Sequence, residues 1–340
     1  MVVGGPDNRS TSNHAVKGRR RRHTGNVSEQ LPGDPRTTDT AVVVTAFYKF
    51  VPLPDFELLR DQLLTRCVEV GMRGSILLAS EGINGTVAAP RSATDEIFTW
   101  LRSDERFADL EVKESLSHQL PFRRMKVRLK KEIVTFGKDV DPTTRVGTYV
   151  DPADWNEVIS SPDVLVIDTR NLEEVALGSF ENAVDPGTES FGEFAEFVDT
   201  LDPADHPKVA MFCTGGIRCE KASSYMLDQG FDEVFHLKGG ILQYLEDVEP
   251  AESMWRGECF VFDERVTVDH DLQPGDYTLC RGCRRVLGDS ERSAKEYEEG
   301  VSCARCVGDL TQDRAERLRE RHRQVLFAEA RGRLHLAPHG

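Results

Sequence analysis

Nothing in the sequence is long and apolar enough to cross a bilayer. No apolar run reaches the roughly 18 residues a membrane-spanning helix needs. The opening residues lack the apolar core of a secretory leader. Both absences point to a chain that works in the cytoplasm, away from membranes. Lysine is scarce beside arginine, and aspartate is abundant. With 43 basic against 58 acidic residues, the net charge is −15. A surface of that sign repels polyanions, so a nucleic acid must be met by a local basic patch. There is no internal repeat, and His118, His206 and His236 fall at no metal-binding spacing.

What is present is enough chain for two or three domains: 340 residues, 39% of them hydrophobic. Eight cysteines in a cytosolic chain read as reactive thiols or metal ligands before disulfides. They fall into three sets. Cys67 and Cys259 are isolated, Cys213 and Cys219 share one loop, and Cys280, Cys283, Cys303 and Cys306 form two CxxC pairs. Cys67, beside Val68 and Val70, reads as a core thiol.

Composition and periodicity divide the chain. Residues 1–40 are polar and poor in large apolar side chains, which predicts a disordered extension whose Arg19–Arg22 run is solvated. Residues 41–140 read as β-α-β-β-α-β, the order of a ferredoxin-like (acylphosphatase-like) domain. There "EGINGT" is expected to be the turn between two antiparallel strands. A polar stretch around 138–155 reads as a linker. Over 141–255 short apolar strands alternate with helices, which predicts a parallel α/β sheet with its site beyond the strand C-termini. Residues 256–340 hold the CxxC pairs and a charged helix.

The most informative stretch is "MFCTGGIRCEKASSYM", residues 211–226. Cys213 ends a buried strand, two glycines follow, and a helix begins near Arg218. Unpaired N–H groups of such a loop and of a helix first turn converge on an anion. The anion at hand is the Cys213 thiolate, and Arg218 adds positive charge, so the thiol is expected to ionise early and act as a nucleophile. Thr214, Gly215 and Gly216 are expected to cradle substrate, with Asp168 and Arg170 at the pocket rim. Cys219 suits either resolution of an oxidised Cys213 or helix packing. Lys221 suits either phosphate attraction or plain solvation.

A strand ending "VID-R", the Cys-x4-Arg loop and a closing "HLKGGI" resemble a rhodanese domain. The loop is one residue shorter than in the related phosphatases, which argues against phosphate as substrate. "LLASEGINGTVA", "CTGGIRCEKAS", "GECFVFDERVTV" and the CxxC pairs together resemble the bacterial rhodanese-containing tRNA uridine(34) hydroxylase family, over roughly residues 41 to 310. The resemblance implies an acylphosphatase-like domain, a rhodanese domain and a cysteine-bearing tail. It also implies oxygen-dependent hydroxylation of the wobble uridine to 5-hydroxyuridine, with Cys213 as active-site cysteine, molecular oxygen as co-substrate and the tRNA anticodon loop as partner. It leaves the electron donor and the oligomeric state unassigned. Many rhodaneses carry "GHI" where this chain has Gly178-Ser179-Phe180, a departure outside the cysteine loop.

Cys280-x2-Cys283 and Cys303-x2-Cys306, 19 residues apart, have the spacing of a four-thiolate zinc ribbon. Such a site is structural, because four cysteines leave no open coordination position. In "PFRRMKVRLKKE" alternate residues of a strand share a face, so Lys126, Arg128 and Lys130 are expected to form a basic stripe for RNA. The tail helix offers Arg314, Arg317, Arg319, Arg321 and Arg323 as a weaker alternative. Two other readings stay open: a sulfurtransferase carrying a persulfide on Cys213, and a non-catalytic RNA-binding adaptor.

Overall fold

Val42, Val44 and Phe47 set the first strand by alternation: the two valines pack under Leu120 and Phe122, while Phe47 joins the core beneath the helices. The computed structural model describes residues 42–331, so the extension expected over residues 1–40 lies outside the described residues. The N-terminal unit runs β1 (Val42–Phe50), α1 (Phe56–Glu69), β2 (Arg73–Ala79), β3 (Gly82–Pro90), α2 (Arg91–Arg102), β4 (Val112–Ser117) and β5 (Met125–Leu129). Its sheet order is β4-β1-β3-β2-β5. The first four strands are antiparallel neighbours in the ferredoxin-like order, and β5 adds to the β2 edge in parallel. Both helices cover one face. Cys67 lies fully buried in that core, and burial pushes its thiol up to about 12, as a packing thiol requires.

"EGINGT" lies at the expected connection between two antiparallel strands, but only its Glu81 is in the turn. The chain reverses at Ser80 and Glu81, and β3 already begins at Gly82. The glycines answer crowding within the sheet: at Gly82 φ is 148°, and a Cβ there would lie 2.0 Å from the Lys49 carbonyl oxygen.

The expected linker contains structure. β6 (Thr148–Val150) and α3 (Pro152–Ile159) open the second unit. Then come β7 (Val164–Asp168), α4 (Leu172–Val175), β8 (Gly178–Phe180), α5 (Phe194–Val198), β9 (Lys208–Phe212), α6 (Ile217–Asp228), β10 (Glu233–Leu237) and α7 (Gly240–Asp247). The sheet is parallel throughout, in the order β6-β10-β9-β7. Crossover helices bury both faces, and Phe180, Phe212, Tyr244, Trp155 and Trp255 make edge-to-face contacts in the core on one side.

Helix α6 is unusual. Every residue from Arg218 to Met226 is buried, including Glu220, Lys221, Ser223 and Ser224. A helix buried all round must be covered by more than its own sheet. The second cover is the helix-free face of the N-terminal sheet. Lys221 Nζ pairs there with Glu81 at 2.9 Å and Glu132 at 2.6 Å, so it is neither solvated nor open to phosphate.

The C-terminal part carries β11 (Trp255–Gly257), which pairs with β8, then short hairpins from β12 (Cys259–Phe260) with β13 (Thr267–Val268) and β14 (Thr278–Leu279) with β15 (Val286–Leu287). It ends with α8 (Asp289–Arg292) and the long charged α9 (Gln312–Glu329). Among the described residues, no helix is long and apolar enough to cross a membrane.

Candidate active site

Strand β9 ends at Phe212, and Cys213 takes the next position, beyond the strand C-terminus where a parallel sheet exposes its site. Gly216 takes the left-handed conformation, with φ 99°, and turns the chain into α6. Its N–H donates to Cys213 Sγ at 3.1 Å. The loop is gripped from behind by α7, where Ile241 N donates to the Cys213 carbonyl at 2.9 Å and Leu242 N to that of Thr214 at 3.1 Å. This approach explains "HLKGGI": a Cβ on Gly240 would lie 2.5 Å from the Cys213 oxygen and 2.6 Å from the Gly216 nitrogen. Gly215 faces open space, and the buried Thr214 hydroxyl has no partner among the described residues.

Burial alone would push the Cys213 thiol up. The Cys219 thiol hydrogen bond, the charge of Arg218 and the N–H groups of Arg218 and Cys219 outweigh it and bring the thiol down to about 5. Cys213 therefore stands as a thiolate at neutral pH. Cys219 stays protonated, pushed up by its own burial and by the neighbouring thiolate, and its Sγ lies 3.7 Å from Thr169 Oγ1. The two sulfurs of the loop are thus brought together.

Arg218 does not answer Cys213 alone. Its two Nη atoms bind both Glu174 oxygens at 2.8 Å. Asp168 and Arg170 are fully buried and do not rim a pocket. Arg170 instead pairs with Asp168 at 2.7 Å and donates to the carbonyl oxygens of Glu174 and Gly178. The result is a buried series of alternating charge: Asp168, Arg170, Glu174, Arg218, Cys213. Ser179, at the position of the departure from "GHI", donates to Asp168 Oδ2 at 2.8 Å and so closes the far end of the series.

Sequence reasoning missed the cover of the loop. Lys113 is paired with Ala46 in the β1–β4 register, so it shares a sheet face with Tyr48, two residues further along. That face lies against the cysteine loop. Lys113 Nζ donates to the Gly215 carbonyl at 3.2 Å and sits 5.4 Å from the Tyr48 ring centroid. A Cβ on Gly216 would come 2.9 Å from the Tyr48 hydroxyl. Tyr48 and Tyr149 both donate to Glu220, at 2.9 and 2.7 Å. Burial raises Glu220, and the Cys213 charge adds to the shift. Burial likewise lowers Lys113, against the pull of Cys213. Tyr48, Lys113 and Tyr149 belong to no motif, so no local signal marked them; Glu220 lies within "CTGGIRCEKAS", but its partners come from distant strands.

On β5, Lys126 is half-buried and Arg128 exposed, while Lys130 is exposed just past the strand end. Lys126 is shifted down by partial burial and by Arg128, Arg124 and Arg284, which places the stripe in a wider positive field.

Cys280, Cys283, Cys303 and Cys306 converge, with all four sulfurs within 4.8 Å of one another. Sγ–Sγ separations of 3.7 Å (Cys280–Cys306), 3.7 Å (Cys283–Cys303) and 3.9 Å (Cys303–Cys306) match a zinc tetrathiolate. Zinc–sulfur bonds of about 2.3 Å give a tetrahedron edge of about 3.8 Å. The residues fit a structural zinc. Cys259 is buried apart from them, its thiol raised to about 12 by burial.

Comparison with known proteins agrees with this division. Residues 42–133 match the UPF0176 acylphosphatase-like domain, and residues 151–247 match the rhodanese-like domain. Among solved structures, a rhodanese-related protein from Thermoplasma volcanium is 26% identical, over 30% of this chain and 95% of its own, with a TM-score of 0.25. The rhodanese-like domain of the Anabaena sp. Alr3790 protein is 17% identical over 33% of this chain and 80% of its own, at 0.27. An acylphosphatase from Coxiella burnetii is 9% identical over 26% and 94%, at 0.20. The chain thus joins a UPF0176 acylphosphatase-like domain to a rhodanese-like domain and follows them with a four-cysteine cluster.

Proposed function

We propose that this chain is a cytoplasmic oxidoreductase that hydroxylates the wobble uridine of tRNA at C5, giving 5-hydroxyuridine. The observation that carries the reading is the Cys213 sulfur, held as a thiolate by the Gly216 N–H and by the first turn of α6. The tRNA substrate follows from the resemblance of the long motifs, and the basic strand β5 at the edge of the N-terminal sheet supports it.

The chemistry needs a nucleophile because C5 of uracil reacts poorly with oxygen as it stands. Addition of the Cys213 thiolate to C6 breaks the C5–C6 double bond and places the electron pair on the C5–O4 enolate. Dioxygen, with two electrons and two protons from an external donor, then supplies one oxygen atom to C5 and releases the other as water. Loss of the C5 proton restores the double bond and expels the sulfur. The base reaches the loop only after unstacking from the anticodon. In a second route, an oxidised Cys213 delivers the oxygen itself. 5-Fluorouridine-containing tRNA separates them, since fluorine at C5 blocks the last proton loss and leaves a covalent adduct on Cys213 only in the first.

The rhodanese-like match favours one other reading, transfer of sulfur from a Cys213 persulfide to an acceptor. Nucleoside mass spectrometry of tRNA from a deletion strain decides between them. Hydroxylation predicts that 5-hydroxyuridine disappears and returns with the wild-type gene but not with Cys213→Ala. A signal that survives deletion supports sulfur transfer.

A further inference from the structure

The structure holds a second, basic site far along the chain from the cysteine loop. We infer that the cleft between the four-cysteine module, helix α9 and the segment entering β5 binds the phosphodiester backbone of a folded RNA. The choice of RNA among polyanions rests on the tRNA reading above; the cleft itself is argued from its own residues.

The cleft encloses about 320 Å³, and four guanidinium groups line it: Arg123, Arg281, Arg284 and Arg321. Only two carboxylates, Glu264 and Glu299, share the lining. Glu264 is divided between two of the arginines, at 2.8 Å from Arg281 and 3.5 Å from Arg123. Among the described residues, Arg284 and Arg321 have no ion-pair partner. In a chain of net charge −15, this concentration of unmatched positive charge is the opposite of the molecule's overall field.

Local structure aims these groups. Arg281 lies inside the first CxxC turn and Arg284 directly follows it, with φ 70° and its N–H bonded to the Cys280 carbonyl at 2.8 Å. On α9, neighbouring arginines are engaged elsewhere: Arg319 with Glu298, Arg323 with Glu320, and Arg314 with the Gly282 carbonyl. Arg321 is the helix arginine left facing the cleft. Partial burial, then repulsion from Arg123, Arg281 and Arg284, lowers its guanidinium, and a bound phosphate would relieve that repulsion. Arg284 is also near enough to Lys126 to help lower its ammonium, so the β5 stripe and the cleft share one positive field. The rings of Tyr277 and Tyr297 add flat surfaces suited to a ribose or a base beside the phosphates.

The test is fluorescence anisotropy of a labelled tRNA anticodon stem-loop with the full chain, between about 50 and 200 mM salt. Arg321→Ala should weaken binding about three- to tenfold and reduce the log–log salt slope by about 0.7–0.9, one phosphate contact. The Arg123→Ala/Arg321→Ala double variant should lose about twice that slope. Arg321→Lys should stay within about threefold of wild type, since a phosphate contact reads mainly charge. Glu264→Gln, which releases two arginines, should tighten binding, a gain that disrupted folding would not give. If the double variant binds with wild-type affinity and slope, this inference falls and the tRNA reading stands. If wild type itself shows no salt-dependent binding of the stem-loop, both fall.

Discussion

The Tyr48 hydroxyl, on the first strand of the acylphosphatase-like domain, donates to Glu220 Oε1 of the rhodanese-like domain at 2.9 Å, beside the loop that carries Cys213. Glu220 is a buried carboxylate with one further side-chain donor, Tyr149. The reactive loop of one domain is therefore completed by side chains of the other.

Removing the Tyr48 donor tests this coupling. Tyr48→Phe keeps the ring but leaves Glu220 with one partner, which should cost about 1–2 kcal/mol. Urea denaturation followed by tryptophan fluorescence should show a lower midpoint with an unchanged slope. A midpoint equal to wild type would mean that this contact adds nothing to the union of the domains.

Acidity of the loop thiol gives a second prediction. The Cys213 thiol ionises at about 5 in the folded chain and near 9.0 when unperturbed. Between those values the unfolded chain holds a proton that the folded chain has released, so this group's contribution to stability rises with pH across that window. It is fully present above the unfolded value and is lost as pH falls through about 5. Thiolate ultraviolet absorbance, taken as wild type minus Cys213→Ser, should titrate near 5, and a difference signal that appears only above pH 8 would refute the anion.

The buried charge series makes a third. Glu174→Gln removes the partner that both Arg218 Nη atoms grip. Stripping one member of a buried pair costs about 3–5 kcal/mol. The freed Arg218 charge should also lower the Cys213 thiol further. Denaturant unfolding reads the first effect and the thiolate absorbance the second; a more stable variant with a raised thiol would contradict both.

Strand ends, the cysteine loop and the four-thiolate cluster were legible in the sequence because each is a local signal. Cys213 follows directly on the apolar run 209–212 that ends a strand, and the CxxC spacings fix their own turns. Asp168, Arg170 and Lys221 were misplaced for a common reason. Charged residues read as surface until their partners are known, and those partners, Glu174 and Gly178 for Arg170 and Glu81 and Glu132 for Lys221, lie across turns or in another domain. The same holds for α6, whose polar residues follow no amphipathic pattern because the N-terminal sheet covers the side that would otherwise face water. The glycines of "EGINGT" misled because glycine serves close approach as well as turning, and only the Lys49 carbonyl shows which.

Metal content supplies the fourth prediction. Full-length protein purified without chelator should contain about one zinc per chain by elemental analysis. Cys303→Ser should lower that ratio and make the segment from Thr278 to Arg292 sensitive to protease, because the hairpin of β14 and β15 packs on these thiols. Retention of a full zinc equivalent by Cys280→Ser/Cys303→Ser would exclude the tetrathiolate.

The amides that surround the Cys213 sulfur have a consequence for turnover. A sulfur whose proton affinity is lowered this far forms weaker bonds to carbon, and it also departs from them more readily. Once the sulfur is capped, the first turn of α6 faces no anion, and the rest of the charge series balances at two positive against two negative groups. Release of the sulfur restores the missing anion, so any adduct at Cys213 is poised to reverse, and the loop favours repeated cycles over a dead-end modification.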